Sequence, residues 1–472
     1  MPPNPARPSP RRPRPPNTAL IRLIEAGGAS RKALAHRVNE LSREAGSPTE
    51  YTHTSVANWC RRGMIPKAGV PLLLARALGE RLGRQVHPAE IGMAGACPSA
   101  DPEAGLGFPR ETEAAVREAT AFWRTVNRRG GNPGPGFAPG AFSVPVTRWL
   151  VSPADAEAGT APTAASTGLR VGRADLVELR EAAEEARRWD SKYGGGSWRA
   201  ESVTTCLEQR AVPLLEGRST EAVGRELFAV TAELSRLAGW TAFDTGRHHT
   251  AQRHFIQALR LARAGSDIQL GCYVLSTMAL QSLLRGGAEA AVDMAQGAYE
   301  RAAGCAAPRV LAFARLIEAR AHARRGDERA ASAALGAAED LIDAPSTRPE
   351  PHWIDFFDRA RLAADATEIH RDLGRPDEAL GWNAAAAAMP AGRFTRSTGI
   401  RHAVLATVHL RSEELELALE SGHRAVTGLA RVSSPRALDY LAELTVALQR
   451  RRREPAVREL LHRARTELPS AA

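Results

Sequence analysis

A glycine followed by residues of set size at fixed offsets recurs through the second half of the chain. Gly246 is followed by Ala251, Phe255 and Ala258; Gly286 by Ala291, Ala295 and Ala298; Gly326 by Ala331, Leu335 and Ala338; Gly374 by Ala379, Asn383 and Ala386. Glycine supplies the turn that ends one helix. Alanines on one face of the next helix let two helices approach closely, and a large residue between them fills the space between layers. Each unit is therefore predicted to be helix, turn, helix, and the units must stack to bury their apolar faces. The best-formed unit is Leu237 to Ala262, LAGWTAFDTGRHHTAQRHFIQALRLA, with small residues at Gly239, Ala251 and Ala258 and a large one at Phe255. Glu413 with Ala418, Gly422 and Ala425 continues the phase less well, and Arg451 with Ala456 and Leu460 reads as a terminal cap. An array of this kind is a binding surface more often than a catalyst.

The remaining sequence divides around this array. Of the 472 residues, 1–90 carry 15 Lys or Arg against 6 Asp or Glu, while the rest of the chain is nearly balanced within a net charge of +10. A basic head on a neutral body is the asymmetry of a nucleic-acid-binding module joined to an interaction domain. Residues 1–16, MPPNPARPSPRRPRPP, are too rich in proline for helix or sheet and read as a disordered basic tail. Five scattered cysteines suggest neither a disulfide framework nor a zinc site, which fits a reducing cytoplasm. There is no apolar run long enough to cross a membrane.

Four helices are predicted over 17–92. Asn17 or Thr18 caps the first, and Gly27-Gly28 ends it. Ser30 caps SRKALAHRVNELSREA, with Leu34, Val38 and Leu41 inward; Thr54 or Ser55 caps the short SVANWCRR; and VPLLLARALGERLG is the fourth. This order resembles the lambda-repressor-like helix-turn-helix family. The resemblance implies that the third helix enters the major groove of DNA. It would present Thr54, Ser55, Asn58, Arg61 and Arg62, with Val56 and Trp59 turned to the core, while Arg31 and Lys32 lie near phosphate at the start of the second helix. The stretch NELSREAGSPTEYTH is longer than the usual turn of that family, so this is a departure from its pattern. A helical domain that docks on protein rather than DNA is the alternative.

Residues 93–172 are dense in glycine and proline and read as a flexible linker with short ordered pieces, among them ETEAAVREATAFWRTVNRR and a segment around Trp149. The triple glycine 194–196 lacks the Gly-Lys-Ser/Thr of a phosphate loop and reads as a helix-ending turn.

From 173 to 472 the glycine-anchored pattern resembles the second half of the tetratricopeptide repeat, with a period longer than that repeat's usual one. The resemblance implies that the first helix of each unit lines a groove. That register places Arg236, Trp240 and Phe243, then Tyr273, Ser276 and Leu283, then Phe313 and Arg320, then Arg361, Glu368 and Arg371 on the groove face. Arginines among aromatics suit a carboxylate-bearing peptide; the alternative is that the aromatics are core and the arginines solvated. Asp244, His248, His249 and His254 invite a metal reading, but Gly246 interrupts any shared helical face, and no metal or cofactor is expected. No catalytic signature appears, and an enzyme is the least favoured class.

Three phrases, LAGWTAFDTGRHHTAQRHFIQALRLA, IEARAHARRGD and HWIDFFDRARLAADATEIHRDLGRPDEAL, resemble actinobacterial regulators that join an N-terminal DNA-binding-type domain to a tetratricopeptide body. The N-terminal phrases are similar to the negative regulators of Streptomyces differentiation and antibiotic production. The expectation is an all-α protein: a lambda-repressor-like helix-turn-helix domain, a flexible linker and a tetratricopeptide-like α-solenoid. It would be a cytoplasmic transcriptional regulator with double-stranded DNA and a peptide, protein or small-molecule effector as partners, able to pair as a homodimer and not bound to membrane. The alternative is a repeat scaffold acting through protein partners.

Overall fold

Asn17 opens the first helix because its side-chain oxygen accepts the Leu20 N–H at 3.0 Å, closing one of the donors a helix start leaves free. The computed structural model describes residues 15–44, 49–66, 70–82, 86, 90–93, 103–129, 137–151, 168–196, 200–346, 348–390 and 392–468. The rest of the predicted basic tail and of the linker lies outside them. The described residues fall into two compact units, Met1–Pro102 with Arg128–Asn132 and Glu103–Asn127 with Pro133–Ala472. They are helical throughout, with one isolated bridge between Arg170 and Arg218.

Unit 1 contains α1 (Thr18–Ala26), α2 (Arg31–Glu44), α3 (His53–Arg61) and α4 (Val70–Leu82). Leu20, Leu34, Val38, Leu41, Val56, Trp59, Leu74 and Leu78 form its core. Their helical spacing turns one face of each helix inward, as the sequence predicts. The lead into α3 is pinned by Asn39, whose side chain accepts the Tyr51 N–H and donates to the Tyr51 carbonyl, both at 2.8 Å. α3 begins at His53, one turn ahead of the expected caps, because Thr52 and Ser55 form the capping box instead.

In unit 2 the helices pack as adjacent pairs: α10 (Glu221–Asp244) with α11 (His248–Ala264), α12 (Ile268–Leu284) with α13 (Ala288–Ala302), α14 (Pro308–Arg324) with α15 (Glu328–Asp343), α16 (Arg359–Asp372) with α17 (Pro376–Ala386), and α18 (Thr395–Arg411) with α19 (Leu415–Leu429); α20 (Pro435–Leu448) then packs on α18 and α21 (Pro455–Glu467) on α19. Paired helices stacked in chain order are compatible with an α-solenoid. The close approach expected at Gly239 is present: a Cβ there would lie 2.7 Å from the Phe255 ring. Gly246, Gly286, Gly326 and Gly374 all hold positive φ, between 73° and 87°, at the turn within a pair. In the fifth pair the same position is Glu413, with φ 62°. A side chain in this left-handed region is strained, which explains why the sequence phase weakens there.

Residues 103–129 and 137–151 lie within the predicted linker, at the pieces read there as ordered. They hold α5 (Thr112–Arg129) and α6 (Ser143–Val151), both packed in unit 2. The outer face of α11 carries Gln252, Arg253, Gln257 and Arg260, all buried beneath this segment. Gln257 donates to the carbonyls of Gly105 and Gly107 at 2.9 Å, and Arg260 donates to those of Pro109 and Arg110 at 2.6 and 2.9 Å. Trp149 of α6 sits against Gly271, where a Cβ would come within 2.6 Å of the indole. Loop carbonyls held by buried side chains fix a stretch that its glycine content alone would leave free. Upstream of α10, α7 (Arg173–Tyr193) packs on α10 and α18, and the short α8 (Ala200–Cys206) and α9 (Val212–Leu215) lead into α10.

Replacing Glu413 by Gly is expected to stabilise the protein by about 0.5–1 kcal/mol by relieving the left-handed side chain, whereas Gly326→Val is expected to destabilise it by about 1–2 kcal/mol. Urea unfolding midpoints check both; equal shifts of the same sign would show that the turn conformation is not what the glycines serve.

Candidate functional site

The first helices of the pairs in unit 2 enclose a cavity of about 470 Å³, with α7 and the turn 352–357 completing its wall. Of the residues predicted for the groove, Arg236, Trp240, Tyr273, Phe313, Arg320 and Arg361 line it. Phe243, Ser276, Leu283, Glu368 and Arg371 do not. Phe243 is 1% exposed and packs edge-on to Trp240 and His248, on the core side of α10. Arg371 is buried in ion pairs with Asp372 and Glu368 and reaches Glu443 at 3.5 Å. An α-helix turns about 100° per residue, so residues three or four apart share a face only approximately. In α10 and α16 the wall ends short of these two positions.

Two buried ion networks shape the cavity. In the first, Asp365 accepts from Arg320 at 2.9 Å and from Arg361 at 2.7 Å; Arg320 also reaches Glu368 at 2.8 Å, and Tyr440 donates to the same carboxylate at 3.1 Å. Burial alone would raise the pKa of Glu368, but the charges of Arg320, Arg371 and Arg324 outweigh it and hold it at about 2. In the second, Asp244 is fully buried and accepts from Arg396 at 2.8 Å, Arg436 at 3.0 Å, Ser434 Oγ at 2.8 Å and the Gly195 N–H at 2.9 Å. Burial opposes its charge, and the two arginines with these donors hold its pKa below the ordinary carboxylate value. Arg396 also pairs with Asp190 at 2.9 Å, to which the Trp240 indole N–H donates at 3.0 Å. The triple glycine belongs to this cluster. Gly196 N–H donates to the Ser433 carbonyl at 3.0 Å, and a Cβ on Gly196 would overlap the Ser433 hydroxyl. It is a helix-ending turn, as its sequence suggests, and also the crossing point that joins α7 to the start of α20.

The histidines that invite a metal reading lie on α11, across the Gly246 turn from Asp244. Asp244 is spent on its arginines, and among the described residues no three His, Cys, Asp or Glu side chains are grouped to hold a metal ion. His254 lies on α11, fully buried, edge-on to Phe122 with ring centroids 4.7 Å apart and no hydrogen bond to either nitrogen. Burial, then the charge of Arg247, lowers its pKa to about 3. His248 and His402 are lowered to about 4, chiefly by burial and then by neighbouring arginines.

Three parts of the wall were not foreseen: Arg187 and Asp190 of α7, Arg396 of α18, and Trp353 with Phe356 in the turn before α16. A sequence signal for the last exists. The glycine spacing widens from 40 to 48 between Gly326 and Gly374, and the added length carries the aromatic run HWIDFFD where a solvent turn would be polar.

In unit 1, α3 exposes Thr54, Arg61 and Arg62; Asn58 is partly exposed, and Ser55 is half-buried with its hydroxyl taking the Thr52 N–H at 3.2 Å. Lys32 is exposed and Arg31 partly so at the start of α2. α3 carries no carboxylate, and Arg61 and Arg62 have no ion pair among the described residues. Met64 and Ile65, just beyond α3, are 49% and 40% exposed.

Two predictions follow from the buried charges. Asp244→Asn leaves Arg396 and Arg436 short of a buried counter-charge, and a loss of about 3–5 kcal/mol in unfolding free energy is expected. The second concerns acid. His254 has its native pKa below its unfolded value of 6.5, so the unfolded state takes up the proton first and stability falls as pH drops below 6.5. The slope from this one group approaches about 1.4 kcal/mol per pH unit. Glu368 adds its loss only below its unfolded value of 4.5. Melting temperatures of the wild type and His254→Leu across pH 7 to 5 are expected to diverge, with the variant losing less; parallel curves would place the acid sensitivity elsewhere.

Residues 20–94, within unit 1 and a small part of the chain, fit the family model described as the SP15 N-terminal domain. The searches of curated proteins and of solved structures returned no match.

Proposed function

We propose that this protein is a DNA-binding transcriptional regulator whose helical array takes an effector in the unit 2 cavity. The observation that carries the reading is the cavity itself, built from five successive first helices and closed by α7. Its size lies in the range of small-molecule sites, about 300–1,000 Å³. Residues far apart in sequence converge on it, so an occupant would tie successive pairs together and bias how they stack. In this reading the pairs are tetratricopeptide-like and unit 1 is a helix-turn-helix-like domain. The DNA half is supported by the surface of α3, which offers Thr54, Asn58, Arg61 and Arg62 with no acidic residue to repel phosphate. Asn and Arg are also the side chains whose geometry suits adenine and guanine edges. Two copies on paired half-sites would give effector binding a route to DNA affinity.

A second reading has its own observation. The exposed Met64 and Ile65 beside α3 suit a protein surface better than a phosphate backbone, so unit 1 would dock a partner and the chain would act as a scaffold.

Binding of the full-length protein to duplex DNA, measured across salt concentrations, separates the two. The regulator reading expects salt-dependent binding, with Arg61→Ala/Arg62→Ala lowering the slope of log affinity against log salt by about 1 to 2. An unchanged slope and affinity in the double variant, or no binding above background at low salt, removes the DNA half and favours the scaffold.

A further inference from the structure

Most charges facing the cavity are paired; Lys192 and Arg393 are exposed and without an ion pair among the described residues, and Arg236 is the buried exception. Asp365 is shared by Arg320 and Arg361, Asp190 is taken by Arg396 and Trp240, Glu184 pairs with Arg188, and Asp355 lies 3.5 Å from His352. Arg187 pairs outward with Glu233. Arg236 is only 3% exposed, yet it meets no carboxylate among the described residues. Its only hydrogen bond there is a long one to the Tyr273 hydroxyl at 3.5 Å, its guanidinium lies 4.9 Å over the Tyr273 ring, and its Nε has no partner. A guanidinium has five N–H donors and cannot shed its charge, so a buried one left this far short is costly. Arg187 stands close enough that its pKa is lowered, first by burial and then by the charge of Arg236. Arg187 is itself held by Glu233, so of these two arginines Arg236 alone lacks a carboxylate among the described residues.

The surface beside Arg236 is aromatic. Tyr273 stacks on Trp353 with centroids 4.9 Å apart and planes within 9°. Phe313 meets Tyr273 edge-on at 5.3 Å and Phe356 at 6.0 Å. This aromatic wall and the unpaired guanidinium open onto the same space. Flat apolar groups pack on such a wall, and a planar guanidinium matches the two oxygens of a carboxylate or phosphate.

We propose that the cavity binds a small organic anion, with its carboxylate or phosphate on Arg236 and its flat apolar body along the Tyr273, Trp353, Phe313 and Phe356 wall. This rests on the reading of the cavity as an effector site and names the class of effector. An anion there gives Arg236 the counter-charge that the chain itself withholds, so the occupied and empty arrays differ in electrostatic energy at the junction of α7, α10 and α12.

Isothermal titration calorimetry of the full-length protein with 2-naphthoate, 2-naphthyl phosphate and the uncharged 2-naphthamide tests it. At least one anion is expected to bind ten-fold or more tightly than the amide, and the tighter of the two identifies the headgroup. Arg236→Gln is expected to abolish that preference while leaving amide binding in place. Equal binding of amide and anions by the wild type overturns the anionic class and leaves the cavity reading standing; no binding by any of the three at millimolar concentration overturns both. Tighter binding of an N-terminally blocked hexapeptide with a free C-terminal carboxylate overturns the small-molecule class. Thermal unfolding of the ligand-free Arg236→Gln variant gives an independent readout. A melting temperature equal to or above the wild type is expected, since an unpaired buried charge is removed, and a drop of several degrees would show that Arg236 is a structural residue instead.

Discussion

Asp244 accepts hydrogen bonds from Arg396, Arg436, Ser434 and the Gly195 N–H with no contact to water. These donors come from α18, from the start of α20 and from the turn after α7, while Asp244 itself ends α10. One carboxylate thus joins the first helix pair to the fifth and to α20. Stacked pairs by themselves contact only their neighbours and have no reason to return on themselves. A buried ion cluster requires its members to arrive in one geometry, because a misplaced partner leaves a charge uncompensated in a low-dielectric setting. The cavity is a consequence: with α7 tied to both α10 and α18, the faces of the intervening first helices are held around a common space.

The second constraint acts from outside. Gln252, Arg253, Gln257 and Arg260 form a polar stripe on α11 that would face solvent in an uncovered array. Here Arg253, Gln257 and Arg260 donate to the carbonyls of residues 104–110 and Gln252 to that of Ala138, and α5 and α6 follow onto the same surface. This leaves His254 in an apolar setting against Phe122. An imidazole kept neutral and dry makes the array sensitive to acid for a structural reason and not a catalytic one.

The cavity wall contrasts two uses of arginine. Arg320, Arg361 and Arg396 are saturated by carboxylates and work as struts. Arg236 is as buried as Arg320 and Arg396 and lines the same cavity but has no carboxylate among the described residues, and it stands beside the aromatic wall. That difference separates a charge that holds the fold together from one available to a ligand. In unit 1 the polar surface of α3 is separated from the core by the inward Val56 and Trp59, so its exposed side chains are free to vary without disturbing the packing.

Local patterns in the sequence determined the helical class, the positions of the turns and the pairing of helices. Each of these rests on interactions within a few tens of residues: glycine at a left-handed turn, alanine where helices touch, a capping side chain at a helix start. Even the weak fifth unit was legible, since Glu413 stands where the backbone asks for glycine. Tertiary structure alone decided which polar residues are buried. Nothing near Asp244 in the chain indicates that Arg396 and Arg436, some 150 and 190 positions away, will meet it. Nothing near Gln257 or Arg260 shows that a glycine-rich segment will cover them. Of the residues in the groove register, Arg236, Trp240, Tyr273, Phe313, Arg320 and Arg361 line the cavity, because they follow the helical period. Phe243 and Arg371 lie off it because the extent of each face is set by how far α7 and the 352–357 turn close over it. Charge pairing between distant segments leaves no periodic trace, and that is why the lack of a carboxylate at the buried Arg236 emerged only when its neighbours could be placed in three dimensions.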